Sequence, residues 1–259
     1  MRFKLSLVWN LGGLLYREDG MPQTIKPRHP HENKLLRMLP EKDFNRLLPH
    51  LESVDVADLK VLHQPHKPIT HAYFPNDSVV SLIAITEKGS TAEVGMVSNE
   101  GLVGISGLLG PNTNPYRAIV QVPGSAWRIR LKVLKAEFRK CPAIQDIIHR
   151  YLHTLLTQIA QSAVCNRFHT IEQRLARWLL GSQDRVGKDT FHYTHDFLAR
   201  MLGTDRSSVT LGVGILRRAG LISNSRGRVT ILDRRGLEAV SCECFFITKA
   251  EFADSTGQA

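Results

Sequence analysis

One stretch constrains this chain more than any other: Phe197 to Ile222, FLARMLGTDRSSVTLGVGILRRAGLI. Phe197, Leu198, Met201 and Leu202 recur at helical spacing behind Thr194, a residue suited to an N-cap. Gly203 ends that helix, because glycine enters a left-handed C-cap without strain. Asp205 then caps a second helix, in which Val209, Val213 and Leu216 fall at i, i+4 and i+7 and form one buried stripe. Gly220 closes it. Leu221-Ile222 and Val229 to Leu232 read as two strands around a turn at Arg226, Gly227 and Arg228. Two short helices, a tight turn and a basic hairpin predict a winged helix-turn-helix.

The face opposite the stripe carries Arg206, Ser207 and Thr210. Short hydroxyls and a guanidinium near a helix N-terminus are the groups that meet phosphates and base edges, so these three are expected to read bases. Thr194, Ser208, Arg218, Arg226 and Arg228 are expected to hold phosphates. From Thr194 to Arg235 there are eight arginines against Asp196, Asp205 and Asp233, a large part of the chain's net charge of +10. Positive charge concentrated in this way predicts duplex DNA as the partner. Two residues work against the second helix. Gly212 and Gly214 each cost about 1 kcal/mol relative to alanine there. Gly212 is expected on the buried side, packed against the first helix of the pair. Gly214 has no reason in the sequence beyond leaving the outward surface bare.

A chain of 259 residues has room for two domains. Four cysteines (Cys141, Cys165, Cys242 and Cys244) are too few and too scattered for a disulfide framework, which predicts a reducing, cytoplasmic setting. Leu5 to Leu15 is an apolar run behind Arg2 and Lys4, too short to span a membrane and not followed by a small-residue cleavage site, so no membrane contact is expected. Met21 is an alternative start to Met1, with residues 1–20 as an upstream extension. Residues 1–32 as a whole are expected to be disordered.

Residues 33–49 predict one or two short helices broken at Pro40 and Pro49. From about Val54 to Leu131, short β-branched runs alternate with turns: Val79 to Ile85, Ala92 to Val97, Ile119 to Val122 and Ala126 to Leu131. That texture predicts an antiparallel roll or sandwich within 33–141. Ala143 to Leu180 contains no Gly or Pro, and Ile144, Ile147, Ile148, Tyr151, Leu152, Leu155, Leu156 and Ile159 make a broad stripe. So wide a stripe suits two partners, the roll on one side and an identical helix on the other. A homodimer follows, with a dimerisation helix over 142–168 and two recognition helices placed for half-sites about 34 Å apart. Asn166 to Thr170 is the expected break before a DNA-binding domain over 169–245, with a tail over 246–259.

In order, lengths and motifs, residues 33–240 resemble the Crp/Fnr family of bacterial regulators. The match is strongest at Leu198-Ala199, Leu202-Gly203, Arg206, Val209, Leu216 and Gly220-Leu221-Ile222. The resemblance implies an α+β fold: an N-terminal β-roll of the cyclic-nucleotide-binding type, a long dimerisation helix and a C-terminal winged helix-turn-helix. It also implies a homodimer that binds a pseudo-palindromic promoter site and contacts RNA polymerase. Two departures qualify it. Family members often carry Glu directly after Arg206 and Arg five residues after it. Here Ser207 cannot accept from cytosine as a carboxylate would, and Leu211 cannot fork onto guanine, so the usual target sequence does not carry over. In the family's effector pocket a Gly-Glu pair holds the ribose, and an Arg followed by Ser or Thr holds the phosphate. Here Ile105 stands at the carboxylate position and Arg117-Ala118 near the phosphate position, which would strand the ribose hydroxyls. Arg117 is the one weak candidate for a cofactor contact, and no cofactor is expected.

The remaining candidates are minor. Cys242-Glu-Cys244 offers two thiols that would be half of a metal or redox site, but packing of the last helix or strand is the preferred account of them. The family's iron–sulfur branch uses N-terminal cysteines, and the first cysteine here is Cys141. His63, His66 and His71 lie in HQPHKPITH, which with its prolines reads as a solvated loop between strands. His149 and His153, at i and i+4, would flank a dimer interface. Ser106 lacks the flanking glycines of a nucleophile elbow, and no catalytic constellation appears. Two rivals remain: a regulator of the same fold that responds to a cyclic nucleotide, a redox change or a metal, and a signalling module whose winged helix binds protein.

Overall fold

Antiparallel pairing builds the N-terminal half. The computed structural model describes residues 29–255 and 257, so the expectations placed on residues 1–28, including the apolar run and the choice between Met1 and Met21, lie outside the described residues. The expectation for residues 29–32 needs correction. Pro30–Glu32 form a 3-10 turn, Pro30 is buried, and the His31 ring packs on Phe44 at 4.1 Å. Asn33 is fully buried: its side chain caps the next helix and donates to the carbonyls of Pro75 and Gly101.

Helices α1 (Lys34–Arg37) and α2 (Glu41–Leu47) lead into seven strands: β1 (Glu52–Val56), β2 (Val61–His63), β3 (His71–Pro75), β4 (Val79–Ile85), β5 (Thr91–Val97), β6 (Arg117–Val122) and β7 (Gly124–Arg130). They form two antiparallel sheets, β1-β7-β3 and β2-β6-β4-β5. Between them lies a core that includes Phe74, Leu82, Val120 and Ile129. The histidine segment is not one solvated loop. His63 ends β2, is buried, and has Nε2 2.8 Å from the carbonyl of His71 on β3; burial holds its pKa down. His66 lies in the turn between those strands.

Helix α3 (Leu131–Lys140) precedes α4 (Pro142–Phe168), which is unbroken over its length. Ile144, Ile147, Ile148, Tyr151 and Leu155 pack into the roll. Gln158 reaches from α4 to accept from the Met96 amide at 2.6 Å. Gly95 permits this approach, since a Cβ there would lie 2.7 Å from the Gln158 side-chain oxygen. Helix α5 (Ile171–Val186) starts in a capping box of Thr170 with Gln173 and ends on the left-handed Gly187.

The winged domain follows: β8 (Thr190–Phe191), α6 (His195–Leu202), α7 (Arg206–Arg218), β9 (Ile222–Ser225), β10 (Arg228–Ile231) and α8 (Arg234–Val240). Its core, with Trp178, Leu198, Val209 and Leu216, is continuous with Val79, Ile83 and Met96 on the outer face of the roll. The expected tail is also corrected: α9 runs Glu243–Ser255 and packs along α4.

Candidate nucleic-acid interface

Thr194 caps α6 by accepting from the Phe197 amide at 3.1 Å. Gly203 takes φ +60° and ends α6, and Asp205 starts α7 by accepting from the Ser208 amide at 2.8 Å. Between the helices, the His195 ring lies 2.9 Å from the Thr210 hydroxyl. That hydroxyl donates to the Arg206 carbonyl at 2.9 Å, so His195 Nδ1 supplies the proton of the cross-helix bond. Gly212 is buried as expected, but its neighbour is different. An added Cβ would meet Ile171 on α5 at 3.3 Å rather than anything on α6.

Arg206, Ser207 and Thr210 all emerge exposed on α7, as does Arg218. Some of their donors are engaged within the protein. The Ser207 and Ser208 hydroxyls both donate to the Asp205 carboxylate, which these bonds hold well below the usual carboxylate range. Arg206 leans 3.4 Å from Asp196 on α6. Ser208 is only half-exposed. Sequence reasoning passed over Leu211 as a mere departure, yet it stands 58% exposed on the outward surface, an unusual place for leucine. The signal available was its position one turn after Ser207, off the buried stripe.

The wing is a two-residue hairpin in which Arg228 pairs with Ser225 and the turn is Arg226-Gly227, both left-handed at φ +49° and +73°. Both turn residues at positive φ match the twist of the flanking strands. Arg226 and Arg228 point to solvent at the tip. A Cβ on Gly227 would lie 3.4 Å from Thr194 Cγ2, so the tip sits against the N-terminus of α6 and brings Thr194 beside the wing arginines. The sequence did not reveal the third wing strand, β8, whose two residues pair with β10. Nor does Arg234 add to this field: it is held by Asp184 at 2.6 Å, Glu238 and Gln183.

In the roll, Gly104 takes φ +101° and leads into a 3-10 turn at Ile105–Gly107. Ile105 is buried among core carbons. Arg117 is half-buried on β6 with Nε lacking a hydrogen-bond partner. Cys242 and Cys244 are drawn together with Cys165 and His169. His149 lies edge-on to Phe138, and His153 lies 3.3 Å from Glu251, so contacts within the chain engage both. Among the described residues no helix is long and apolar enough to cross a membrane.

A winged helix with exposed arginines, joined by a long helix to an antiparallel roll, defines a class of DNA-binding transcription regulators. Residues 173–240 match the family model of the Crp-like helix-turn-helix domain. The transcriptional regulator SdrP of Thermus thermophilus is 26% identical over 197 residues, covering 74% of this chain and 88% of its own. A global nitrogen regulator of Synechococcus elongatus is 22% identical over 213 residues, covering 78% and 95%. A transcriptional regulator of the Crp/Fnr family from Eubacterium rectale superposes with a TM-score of 0.67 at 16% identity, covering 81% of this chain and 98% of that one, a likeness of fold. The chain is a DNA-binding transcriptional regulator with a Crp-like helix-turn-helix domain, similar over most of its length to regulators of the Crp/Fnr type.

Proposed function

We propose that the chain works in the cytoplasm as a homodimer on a pseudo-palindromic promoter site, contacts RNA polymerase there, and does so without a cyclic nucleotide. Its role is binding rather than catalysis. The observation that carries the dimer is the outward side of α4. Leu156 is 57% exposed there, and the helix continues with exposed Val164 and, at its end, Phe168 at 72%. An apolar ridge of this kind beside a buried stripe supports a second helix as its cover. Nucleotide independence is supported by Ile105 in the core, since a ribose hydroxyl there would find carbon.

In this reading Arg206, Ser207 and Thr210 face base edges, with Leu211 offering carbon to a thymine methyl. Thr210 presents mainly its methyl, because its hydroxyl is bonded within the protein. Thr194, Ser208, Arg218, Arg226 and Arg228 lie along the phosphates. Selection of genomic fragments by the purified protein, with and without cyclic AMP and at two salt concentrations, tests the reading. The expected result is one pseudo-palindrome recovered equally in both conditions, with affinity falling steeply as salt rises. Recovery only with cyclic AMP overturns the nucleotide-independent part. Failure to enrich any sequence overturns site-specific binding and favours a winged helix that docks on protein.

A further inference from the structure

Cys165 lies in the last turn of α4, and His169 is that helix's C-cap four residues on. Cys242 and Cys244 flank Glu243 at the start of α9. The chain thus brings four potential ligands from two distant segments to one point. All four ligand atoms lie within 4.8 Å of one another. Cys165 Sγ is 3.6 Å from Cys242 Sγ, and Cys244 Sγ is 3.7 Å from His169 Nδ1. Around a tetrahedral zinc ion, with metal–sulfur bonds of about 2.3 Å and metal–nitrogen bonds of about 2.0 Å, adjacent donors stand roughly 3.5–3.8 Å apart. The Cys165–Cys242 and Cys244–His169 pairs stand at that spacing, and a contraction of at most about 1 Å brings the remaining pairs to it.

Three further observations point the same way. The cysteines are at most 2% exposed and pack on one another, as a cluster separate from both hydrophobic cores. Buried thiols acting only as small hydrophobes would disperse among the aliphatic side chains. His169 directs Nδ1 at the thiols while Nε2 lies 3.2 Å from Glu243 Oε1, the carboxylate–imidazole pairing that fixes the tautomer of a metal-bound histidine. Three thiolates around a divalent ion leave one negative charge. Arg177 is close enough to act electrostatically on all three thiols, and its buried Nε has no hydrogen-bond partner.

We propose that Cys165, His169, Cys242 and Cys244 form a closed Cys3His site for one zinc-like divalent ion, which pins the C-terminal helix α9 to the joint between α4 and the winged domain. The thiols release their protons to solvent as the ion binds. With four protein donors no open position remains, so the site is structural or sensory rather than catalytic. Its place at the α4–α5 joint sets it on the chain's own link from roll to winged domain, beside the direct contacts between the two. Ion binding itself does not depend on the DNA reading.

The test is a cobalt(II) titration of the reduced, chelator-stripped full-length protein. One equivalent per chain should give the intense visible absorption of tetrahedral cobalt with a thiolate charge-transfer band, and one equivalent of zinc should bleach it. Cys165→Ser and Cys244→Ser should abolish the signal, while Cys141→Ser, whose thiol lies in the roll, should keep it. Glu243→Gln retains every ligand and guards against misfolding as an explanation; it should weaken binding about ten- to a hundredfold. Tryptic cleavage at the exposed Lys249 should slow when zinc is added. A weak octahedral spectrum, equal loss in Cys141→Ser, or a Cys165–Cys242 disulfide in protein isolated under reducing conditions overturns the site. Unchanged cleavage at Lys249 overturns the pinning of α9.

Discussion

Arg206 leaves the first turn of α7 beside Asp196, with both side chains mostly exposed. An ion pair so open to water is worth little, so a base edge or phosphate competes with it easily. Arg206→Ala is expected to cost about 1–3 kcal/mol of DNA affinity and to relax preference at a single base position, read from competition binding over a set of single-base variants. A loss spread evenly over all sequences would instead put Arg206 on a phosphate. Arg226 raises a different question, because it holds φ +49°, where a non-glycine residue carries strain. Asparagine tolerates that conformation better. Arg226→Asn should therefore leave the unfolding midpoint unchanged or raised while reducing the salt dependence of DNA binding by about one phosphate contact. If salt dependence stays at the wild-type value, the wing tip does not touch the backbone. At this scale the sequence was informative about caps and turn residues, whose conformations are set locally. It was silent on Ser207 and Ser208 being tied to Asp205, because which hydroxyl faces which carboxylate is a matter of rotamers.

The helix α7 carries two glycines for which the structure gives opposite accounts. An alanine methyl at Gly212 would press on Ile171 at 3.3 Å, tighter than an ordinary contact. At Gly214 the nearest atom is the movable end of Arg218, at 3.5 Å. Gly214→Ala should accordingly stabilise the protein by up to about 1 kcal/mol, and Gly212→Ala by distinctly less or not at all, in denaturant unfolding. If Gly214→Ala also lowers DNA affinity, the bare surface at that position is where the duplex approaches. Elements were legible where periodicity was long and clean. Val79 to Ile85 and Ala92 to Val97 announced β4 and β5, and α4 followed from a stretch free of Gly and Pro. The first three strands escaped because ESVDV, VLH and HAYFP are short and mix charge, histidine and proline with few β-branched residues. Helix α9 escaped for another reason. Its Phe245-Phe246-Ile247 run has no amphipathic period, since Phe245 is buried while Phe246 and Ile247 stand exposed. Losing α9 also hid the metal-ligating cluster: the sequence showed the Cys242/Cys244 pair, but not that its helix docks beside Cys165 and His169.

Across the whole molecule, the roll and the winged domain share buried polar links as well as a core. Arg185 on α5 meets Glu100 of the roll at 2.8 Å with both side chains nearly buried, and Trp178 Nε1 donates at 2.9 Å to Glu93 on β5. Glu93 is the weak point of this seam. Burial drives its pKa up from 4.5 to about 7, against the opposing pull of Ser81, Trp178, Arg177 and Arg185. Its second oxygen is buried without a partner. Because the folded carboxyl binds its proton more tightly than the unfolded one, the folded state gains as pH falls from about 7 toward 4.5 and loses as pH rises through that window. At pH 8 the ionised group should cost roughly 3 kcal/mol. Other groups titrate in the same range, among them His63, whose lowered pKa acts in the opposite sense. The contribution of Glu93 is therefore the difference between wild type and Glu93→Gln, which keeps an acceptor for Trp178. Urea unfolding at pH 8 should find the variant more stable by that amount, and the two proteins should converge as pH approaches 5. A constant difference across the range would mean that Glu93 ionises freely in the folded protein, and that its carboxylate reaches water at the seam between the roll and the winged domain.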